Sequence, residues 1–168
     1  MPEILRCFKE HLPAVRLIGK RYTDDDRNTY GNYGSKWEEW HANGWFGELE
    51  KLGSVLENGD AYLGVMRCKG SFKYWIGMFF PAGTAVPEGY ASADIPEGDI
   101  AVCYIYGRSD NGEIYGQKAH EACMERISCQ GFDLQEDPWF FERYNCPRFT
   151  TPDKQGNVIL DYCIYIKS

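Results

Sequence analysis

The stretch Trp139-Phe140-Phe141-Glu142-Arg143-Tyr144 places one carboxylate inside a run of bulky side chains. Strand alternation predicts that Phe140, Glu142 and Tyr144 share one face, so that Glu142 lies between two aromatic rings. A carboxylate in such a place reaches water, pairs with a neighbour such as Arg143, or stays dry until a cation binds it. We favour the third arrangement, which makes Glu142 the candidate anionic anchor of a ligand site.

The composition narrows the classes of partner. The 168 residues allow one domain with an ample core, and aromatic residues make up 15% of them. A net charge of -7 and a pI near 5.0 argue against nucleic-acid binding by this chain alone and favour cationic ligands. No apolar run is long enough for a membrane span, and the first residues lack the layout of a signal peptide. We therefore expect a cytoplasmic protein.

The cysteines and histidines give no metal-binding pattern. The seven cysteines are odd in number and scattered, and none forms a CxxC pair, which is typical of reduced thiols. We expect no metal and no cofactor. The histidines are His11, His41 and His120.

The spacing of apolar residues predicts the same order of elements twice: strand, helix, strand, strand. Two pseudo-symmetric βαββ repeats would form an α+β fold, with one antiparallel sheet and two helices on one face, in a single domain spanning 1–168. Residues 1–12 are interpreted as a short helical or frayed lead. The predicted bounds are about 13–80 and about 90–167 for the repeats, and 36–52 and 113–128 for the helices, with a turn at Asn58-Gly59-Asp60.

A weak internal match agrees with this repeat. A shift of 78 residues lays Gly64 on Glu142, and a shift of 88 residues lays Gly77 on Tyr165. Two helices side by side on a sheet leave a groove between them, and small residues opposite large polar ones would leave room there for a ligand.

The candidate walls of this groove are aromatic. Each of them could instead pack in the hydrophobic core, as a tryptophan on the apolar face of a helix commonly does. The candidates beside Glu142 are Trp37, Trp40, Trp45, Tyr62, Trp75, Phe140, Tyr144 and Tyr165.

Four motifs together resemble the GyrI-like family, also known as the AraC-type effector-binding domain family. They are YWIGM at 74–78, IPEGDIAVCYIYG at 95–107, WFFERY at 139–144 and DYCIYIK at 161–167. They stand in the order found in that family and extend the resemblance over about 13–167. Lys167 stands where the family usually has proline and Cys163 where it has glutamate; these departures bear on the shape of the last strand and not on the fold.

The resemblance implies a pocket for bulky, amphipathic and often cationic small molecules, as in bacterial multidrug-sensing transcription regulators. It assigns the pairing with the ligand's positive charge to Glu142, with Tyr144 and Tyr165 nearby. The expected partner is therefore an amphipathic or cationic aromatic small molecule, and homodimer formation is left open.

Two other functions remain open. Some stand-alone members of the family look enzymatic and hydrolyse reactive cyclopropane-containing compounds, which would make Glu142, Tyr144 and Tyr165 catalytic. A glutamate in an apolar pocket has a raised pKa and can exchange a proton near neutrality. A regulator of transcription would act as a fragment of a larger protein or through a partner, since residues 1–12 are too few for a helix-turn-helix.

Overall fold

The computed structural model describes residues 2–53, 61–144 and 146–168, and the turn predicted at 58–60 lies outside them. The strands are β1 (Glu3–Leu12), β2 (Val15–Tyr22), β3 (Tyr62–Lys69), β4 (Ser71–Pro81), β5 (Ala91–Ile95), β6 (Gly98–Arg108), β7 (Phe140–Tyr144) and β8 (Asn157–Ile166). The helices are α1 (Gly34–Asn43), α2 (Trp45–Glu50), α3 (Gln117–Cys129) and α4 (Pro147–Thr150).

The helix predicted at 36–52 is divided by a glycine. Gly44 ends α1 in the left-handed region, with φ of 67°, which glycine adopts without the cost that a Cβ imposes. The chain turns there and α2 begins at the next residue. Because of this turn, Trp40 of α1 and Phe46 of α2 both reach the same core cluster.

The strands form one antiparallel sheet, and the α+β class predicted from the sequence is confirmed. The strand order is β1-β6-β8-β7-β3-β4-β2-β5. The βαββ unit from β2 to β4 meets the unit from β6 to β8 at the β3–β7 pair. Gly64 and Glu142 lie directly opposite each other in that pair, so the pseudo-twofold axis passes between them.

The edge strands are exchanged between the halves. β1 precedes the first βαββ unit but pairs with β6 of the second, and β5 precedes β6 but pairs with β2 of the first. The prediction of a helical or frayed lead at 1–12 was wrong, because the strand state of this segment depends on a partner about a hundred residues away.

The sheet curls until its two ends approach each other. Only Pro13 and Ala14 separate β1 from β2, although these strands stand first and seventh in the order. A link of two residues spans only about 10 Å, so the ends must be close. Leu17 of β2 accordingly shares one buried cluster with Ile100 and Val102 of β6. This cluster fills the inner face of the curl.

Both long helical segments cover the outer face, as predicted. Strand pairing puts Ile76, Gly64, Glu142 and Tyr162 in one row across β4, β3, β7 and β8. Ile76 packs in the cluster beneath α1 and α2, and Tyr162 packs in the cluster beneath α3. The row therefore runs beneath both helical segments, with Glu142 between them.

The equivalence of the last strands differs from the sequence-based match by two residues. Ile76 corresponds to Tyr162, a difference of 86 residues rather than 88, because these two face Gly64 and Glu142 across their hairpins.

Gly77 allows close strand packing and does not open space for a ligand. It lies opposite Gly19, and a Cβ on Gly77 would come within 2.3 Å of the carbonyl oxygen of Ile18. The two glycines bring the backbones of β2 and β4 together, which corrects the expected role of Gly77 beside Tyr165.

Candidate functional site

Glu142 lies on the outer face of β7 with Phe140 and Tyr144, as alternation predicts. The hydroxyl of Tyr144 donates a hydrogen bond to Glu142 Oε1 at 3.1 Å. Glu142 is partly exposed, and its accessible atoms open into the space between the helical segments.

Arg143 does not neutralise Glu142. Its side chain is on the inner face, where Nε donates to Asp161 Oδ2 at 2.9 Å and Nη1 donates to Glu10 Oε2 at 3.1 Å. Within the described residues, no cationic side chain forms an ion pair with Glu142. The neighbouring charge in sequence is therefore committed to another network.

Two adjoining cavities meet at Glu142, and we refer to them together as the central cleft. Their volumes are about 420 and 430 Å³, and Met66 and Phe72 line both. These volumes fall in the range of about 300–1,000 Å³ that is common for small-molecule pockets. The cleft lies over β3 and β7, between the segments that lead into α1 and α3, where residues 31–34 face 115–117.

Phenol rings line the first cavity. The rings of Tyr33 and Tyr74 stack with centroids 4.1 Å apart and planes within 9°. Tyr115 and Tyr144 stand on the other side, 6.5 Å apart. Burial, together with the charge of Glu142, raises the pKa of Tyr115 to about 12, so this ring is a neutral π surface at physiological pH. We call these four residues the tyrosine lobe.

A histidine–tyrosine pair lines the second cavity, the histidine lobe, which consists of His120, Phe140 and Tyr162. His120 Nδ1 is hydrogen-bonded to the hydroxyl of Tyr162, and its ring lies 5.7 Å from that of Phe140. Burial lowers the pKa of His120, so the lobe favours the neutral imidazole. This cavity is therefore lined by aromatic rings, and its histidine is uncharged.

Arg27 stands at the rim and lines both cavities. Its guanidinium carbon lies 5.0 Å from the centroid of Tyr33 and 5.2 Å from that of Phe72. Its Nε donates to Asp24 Oδ1 at 2.9 Å. The arrangement is a cation–π contact within the chain, and it places a cation against rings that also line the cleft.

The environment of Glu142 favours the protonated carboxyl. Burial raises the pKa of Glu142 to about 7, and the hydrogen bond from Tyr144 opposes this shift. Desolvation disfavours the charged form unless an opposite charge compensates it. A cation entering the cleft would supply that compensation.

Gly64, which has no side chain, leaves space for the hydroxyl of Tyr74 beside Glu142. A Cβ on Gly64 would come within 2.6 Å of Tyr74 Oη, so glycine is required for that hydroxyl to occupy its place. Trp37 Nε1 donates to the same oxygen at 2.9 Å and fixes the ring. Gly64 thus makes room for a wall of the cleft.

No protein-family model matches the sequence, and no curated protein is significantly similar to it. Solved structures share its architecture. SAV2435 bound to tetraphenylphosphonium matches with a TM-score of 0.70 at 16% identity, over 98% of this chain and 95% of that one. The EcmrR C-terminal domain matches with a TM-score of 0.59 at 13% identity, over 97% and 98%. The chain has the GyrI-like fold. A hydrolase encoded by lin2189 from Listeria innocua also matches, with a TM-score of 0.54 at 7% identity, over 96% and 92%.

Three predicted site residues line the cleft of this GyrI-like fold: Glu142, Tyr144 and Phe140. Trp37 lies behind them, with its ring 4.9 Å from that of Tyr144. Tyr62 is the ladder partner of Tyr144 and stacks beneath α2. These last two support the walls of the cleft from behind.

Two predicted tryptophans belong to the helical core of the GyrI-like fold. Trp40 is fully buried, and its Nε1 donates to the hydroxyl of Tyr22 at 3.0 Å. Trp45 packs on Trp40 from the far side and carries the Lys20 ammonium 4.2 Å from its ring centroid. The apolar spacing within the predicted helix, from which these tryptophans were selected, therefore reflects core packing.

Trp75 and Tyr165 lie on the inner face, away from Glu142, and both belong to the inner cluster. This corrects the sequence-based grouping, and the reason is parity. Trp75 precedes Ile76, and Tyr165 lies three residues beyond Tyr162, so both have the opposite orientation to the row that contains Glu142. They are not part of the site proposed below.

The sequence-based selection missed most of the cleft. Met66, Phe72, Tyr74 and Tyr162 have the parity of Glu142, so the correct strand register would have found them. The remaining side chains come from loops, from the residue before α1, or from the region where α3 begins, at Gln117 instead of the predicted 113, so the helical period assumed for that segment did not give their directions. They are Arg27, Tyr33, Tyr115 and His120.

The described residues contain neither a cluster of metal ligands nor a helix that could cross a membrane. Across 2–53, 61–144 and 146–168, no group of three or more His, Cys, Asp or Glu side chains could hold a metal ion. The seven cysteines are free thiols. No helix in these ranges has the length and apolar character needed to cross a bilayer.

Proposed function

We propose that this chain binds amphipathic aromatic cations in the central cleft, with Glu142 as the anionic anchor. The observation that carries the proposal is a partly buried carboxylate, with its pKa raised by burial, at the junction of two ring-lined cavities. Among the described residues it has no cationic partner. Such a carboxylate is costly to keep charged, and a bound cation would remove that cost.

The chemistry of the walls suits a delocalised cation. Aromatic faces attract a nearby cation by about 0.5–2 kcal/mol each, and the tyrosine lobe offers several of them. The net charge of -7 adds long-range attraction for positive ligands. SAV2435, which shares the fold, has been solved with the cation tetraphenylphosphonium. Recognition by shape and one charge allows many ligands of this class.

Binding in the cleft would serve as a signal. EcmrR, whose C-terminal domain shares the fold, is known in a complex with DNA. We infer a similar use here, in which a DNA-binding unit responds to the ligand-bound domain. The free thiols support a reducing, cytoplasmic setting.

The direct test compares Glu142→Gln with the wild type for tetraphenylphosphonium and for neutral triphenylphosphine oxide, by calorimetry. Losing the charge should weaken cation binding about 30-fold or more, which corresponds to about 2 kcal/mol for a buried charge pair. Binding of the neutral compound should change little. Glu125→Gln, which makes the same change at an exposed position on α3, is the matched control. Equal losses for both compounds would exclude the ion-pairing role.

Hydrolysis of a strained ring is the second candidate, favoured by the neutral-range pKa of Glu142 beside the Tyr144 hydroxyl. The carboxylate would take a proton from water, hydroxide would add to a ring carbon, and the broken carbon–carbon bond would receive the proton. Tyr165 is excluded from this set by its position on the inner face. Incubation with a cyclopropane electrophile, followed by mass spectrometry, decides: product formation above the Glu142→Gln control would establish turnover.

A further inference from the structure

A third cavity opens on the inner face, at the end of the β3–β4 hairpin, and we call it the basic groove. Its volume is about 220 Å³. Four cationic side chains line it together with two tryptophans: Arg21, Arg67, Lys69, Lys73, Trp75 and Trp139. Among the residues that the structure describes, no carboxylate lines it. The groove therefore has the opposite charge to the central cleft.

The cations of the basic groove lack acidic partners. Arg67 Nε donates to the backbone oxygen of Asp137 at 2.9 Å, and Lys73 Nζ donates to Ser71 Oγ at 2.6 Å. In the part of the chain that the structure describes, none of the four cations forms an ion pair.

Strand pairing forces these like charges together. Arg67 and Lys73 are direct partners in the β3–β4 ladder, where like charges destabilise a sheet by up to about 1 kcal/mol. Arg21 is paired with Trp75 in the β2–β4 ladder, which places it diagonally next to Lys73. In a chain with 25 acidic and 18 basic residues, a row of three cations across three strands is a local conflict that folding does not explain. Such conflicts are expected at binding sites.

The rings add a flat surface beside this charge. The guanidinium of Arg67 lies 5.0 Å from the ring centroid of Trp139. Trp75 is 4% exposed, so its ring forms a fixed floor. Arginine presents a planar fork that matches carboxylate and phosphate oxygens, and it stacks on aromatic faces.

We propose that the basic groove binds a small organic anion in which an oxyanion group, a phosphate ester or a carboxylate, is attached to one flat ring. The oxyanion would lie between Arg67 and Lys73, and the ring would lie against Trp75 and Trp139. The volume is below the roughly 300 Å³ of the smallest drug-sized pockets, which limits the occupant to about one ring. The net charge of -7 opposes a long polyanion such as nucleic acid.

The test uses phenyl phosphate, benzoate and inorganic phosphate as probes at constant ionic strength. By calorimetry, Lys73→Gln and Arg67→Gln should each bind phenyl phosphate at least about tenfold more weakly than the wild type, since each substitution removes a charged hydrogen-bond donor. Lys9→Gln, an exposed lysine on β1, makes the same charge change and should bind as the wild type does. Comparing phenyl phosphate with benzoate identifies the oxyanion, and comparing it with inorganic phosphate measures the ring's contribution.

A second measurement keeps the proposal testable if a variant folds poorly. In wild-type protein labelled with nitrogen-15, phenyl phosphate should shift the indole signals of Trp75 and Trp139 and leave Trp40 unchanged. The proposal is overturned if Lys73→Gln binds phenyl phosphate as tightly as the wild type does. It is also overturned if the indole signals of Trp75 and Trp139 shift no more than that of Trp40. Tighter binding of oligothymidylate through the same residues would replace it with a nucleic-acid site. Tetraphenylphosphonium binding should be the same in Lys73→Gln, which separates this groove from the central cleft.

Discussion

Glu142 gives the proposed cation site a dependence on pH, because its pKa of about 7 lies well above the ordinary value of 4.5. A cation binds the ionised carboxylate, so below pH 7 each bound ligand must first displace a proton. We expect cation affinity to fall about tenfold per pH unit well below 7 and to level off above it. Titrations of tetraphenylphosphonium between about pH 5.5 and 8.5 measure this, and proton release at pH 6 is a second readout. Affinity that stays constant across the range would contradict the assignment.

The ionised side chain of Glu142 should also lower the free energy of unfolding of the unliganded protein, compared with a protein that has a neutral side chain at this position. A carboxyl whose pKa is raised on folding holds its proton more tightly in the folded state, so its contribution to stability falls as pH rises from about 4.5 to 7. At pH 8 the cost of the charged form is on the order of 2 kcal/mol, discounted for partial exposure. Glu142→Gln should therefore raise the free energy of unfolding in urea at pH 8. A variant less stable than wild type at that pH would show that the carboxylate is already compensated.

At the scale of elements, an ion network on the inner face ties four segments together. Asp161 of β8 is 1% exposed and accepts hydrogen bonds from Arg143 of β7 and Arg148 of α4. Arg143 also pairs with Glu10 of β1. Buried charges of this kind hold strands in one register, because each depends on the others for compensation.

Removing Asp161 should be strongly destabilising. Asp161→Asn leaves the buried guanidinium of Arg143 without its closest carboxylate, and breaking such a pair costs about 3–5 kcal/mol. Chemical denaturation measures the loss, with Asp133→Asn, an exposed site, as the control. A difference from the control of less than about 1 kcal/mol would place the network among weakly coupled surface pairs.

For the whole molecule, the exchanged edge strands make the two halves depend on each other. β1 pairs with β6 from Glu3 to Leu12, and it carries Cys7 into the outer core and Phe8 against the inner core. Neither half can complete its edge alone. The closed shape that supports the cleft therefore depends on a segment far from it in sequence.

Deleting residues 1–12 tests this dependence. The truncated chain would expose the edge of β6 and open both cores, so we expect loss of cooperative thermal unfolding or aggregation. A synthetic peptide of residues 2–12, added in trans, should restore part of the melting temperature by strand addition. Wild-type unfolding in the truncated protein would contradict the role given to β1.

The sequence by itself determined the repeated βαββ order, the α+β class, and the face of β7 on which Glu142 lies, because these follow from local periods of two and about 3.6 residues. Only the tertiary structure decided that residues 3–12 form a strand, that Trp75 and Tyr165 belong to the inner face, and that Tyr33, Tyr115 and Arg27 lie around Glu142. The physical reason is that periodicity relates neighbours within one element. The register between strands, the curl of the sheet and the direction of loop side chains arise from hydrogen bonds and packing between residues far apart in the chain.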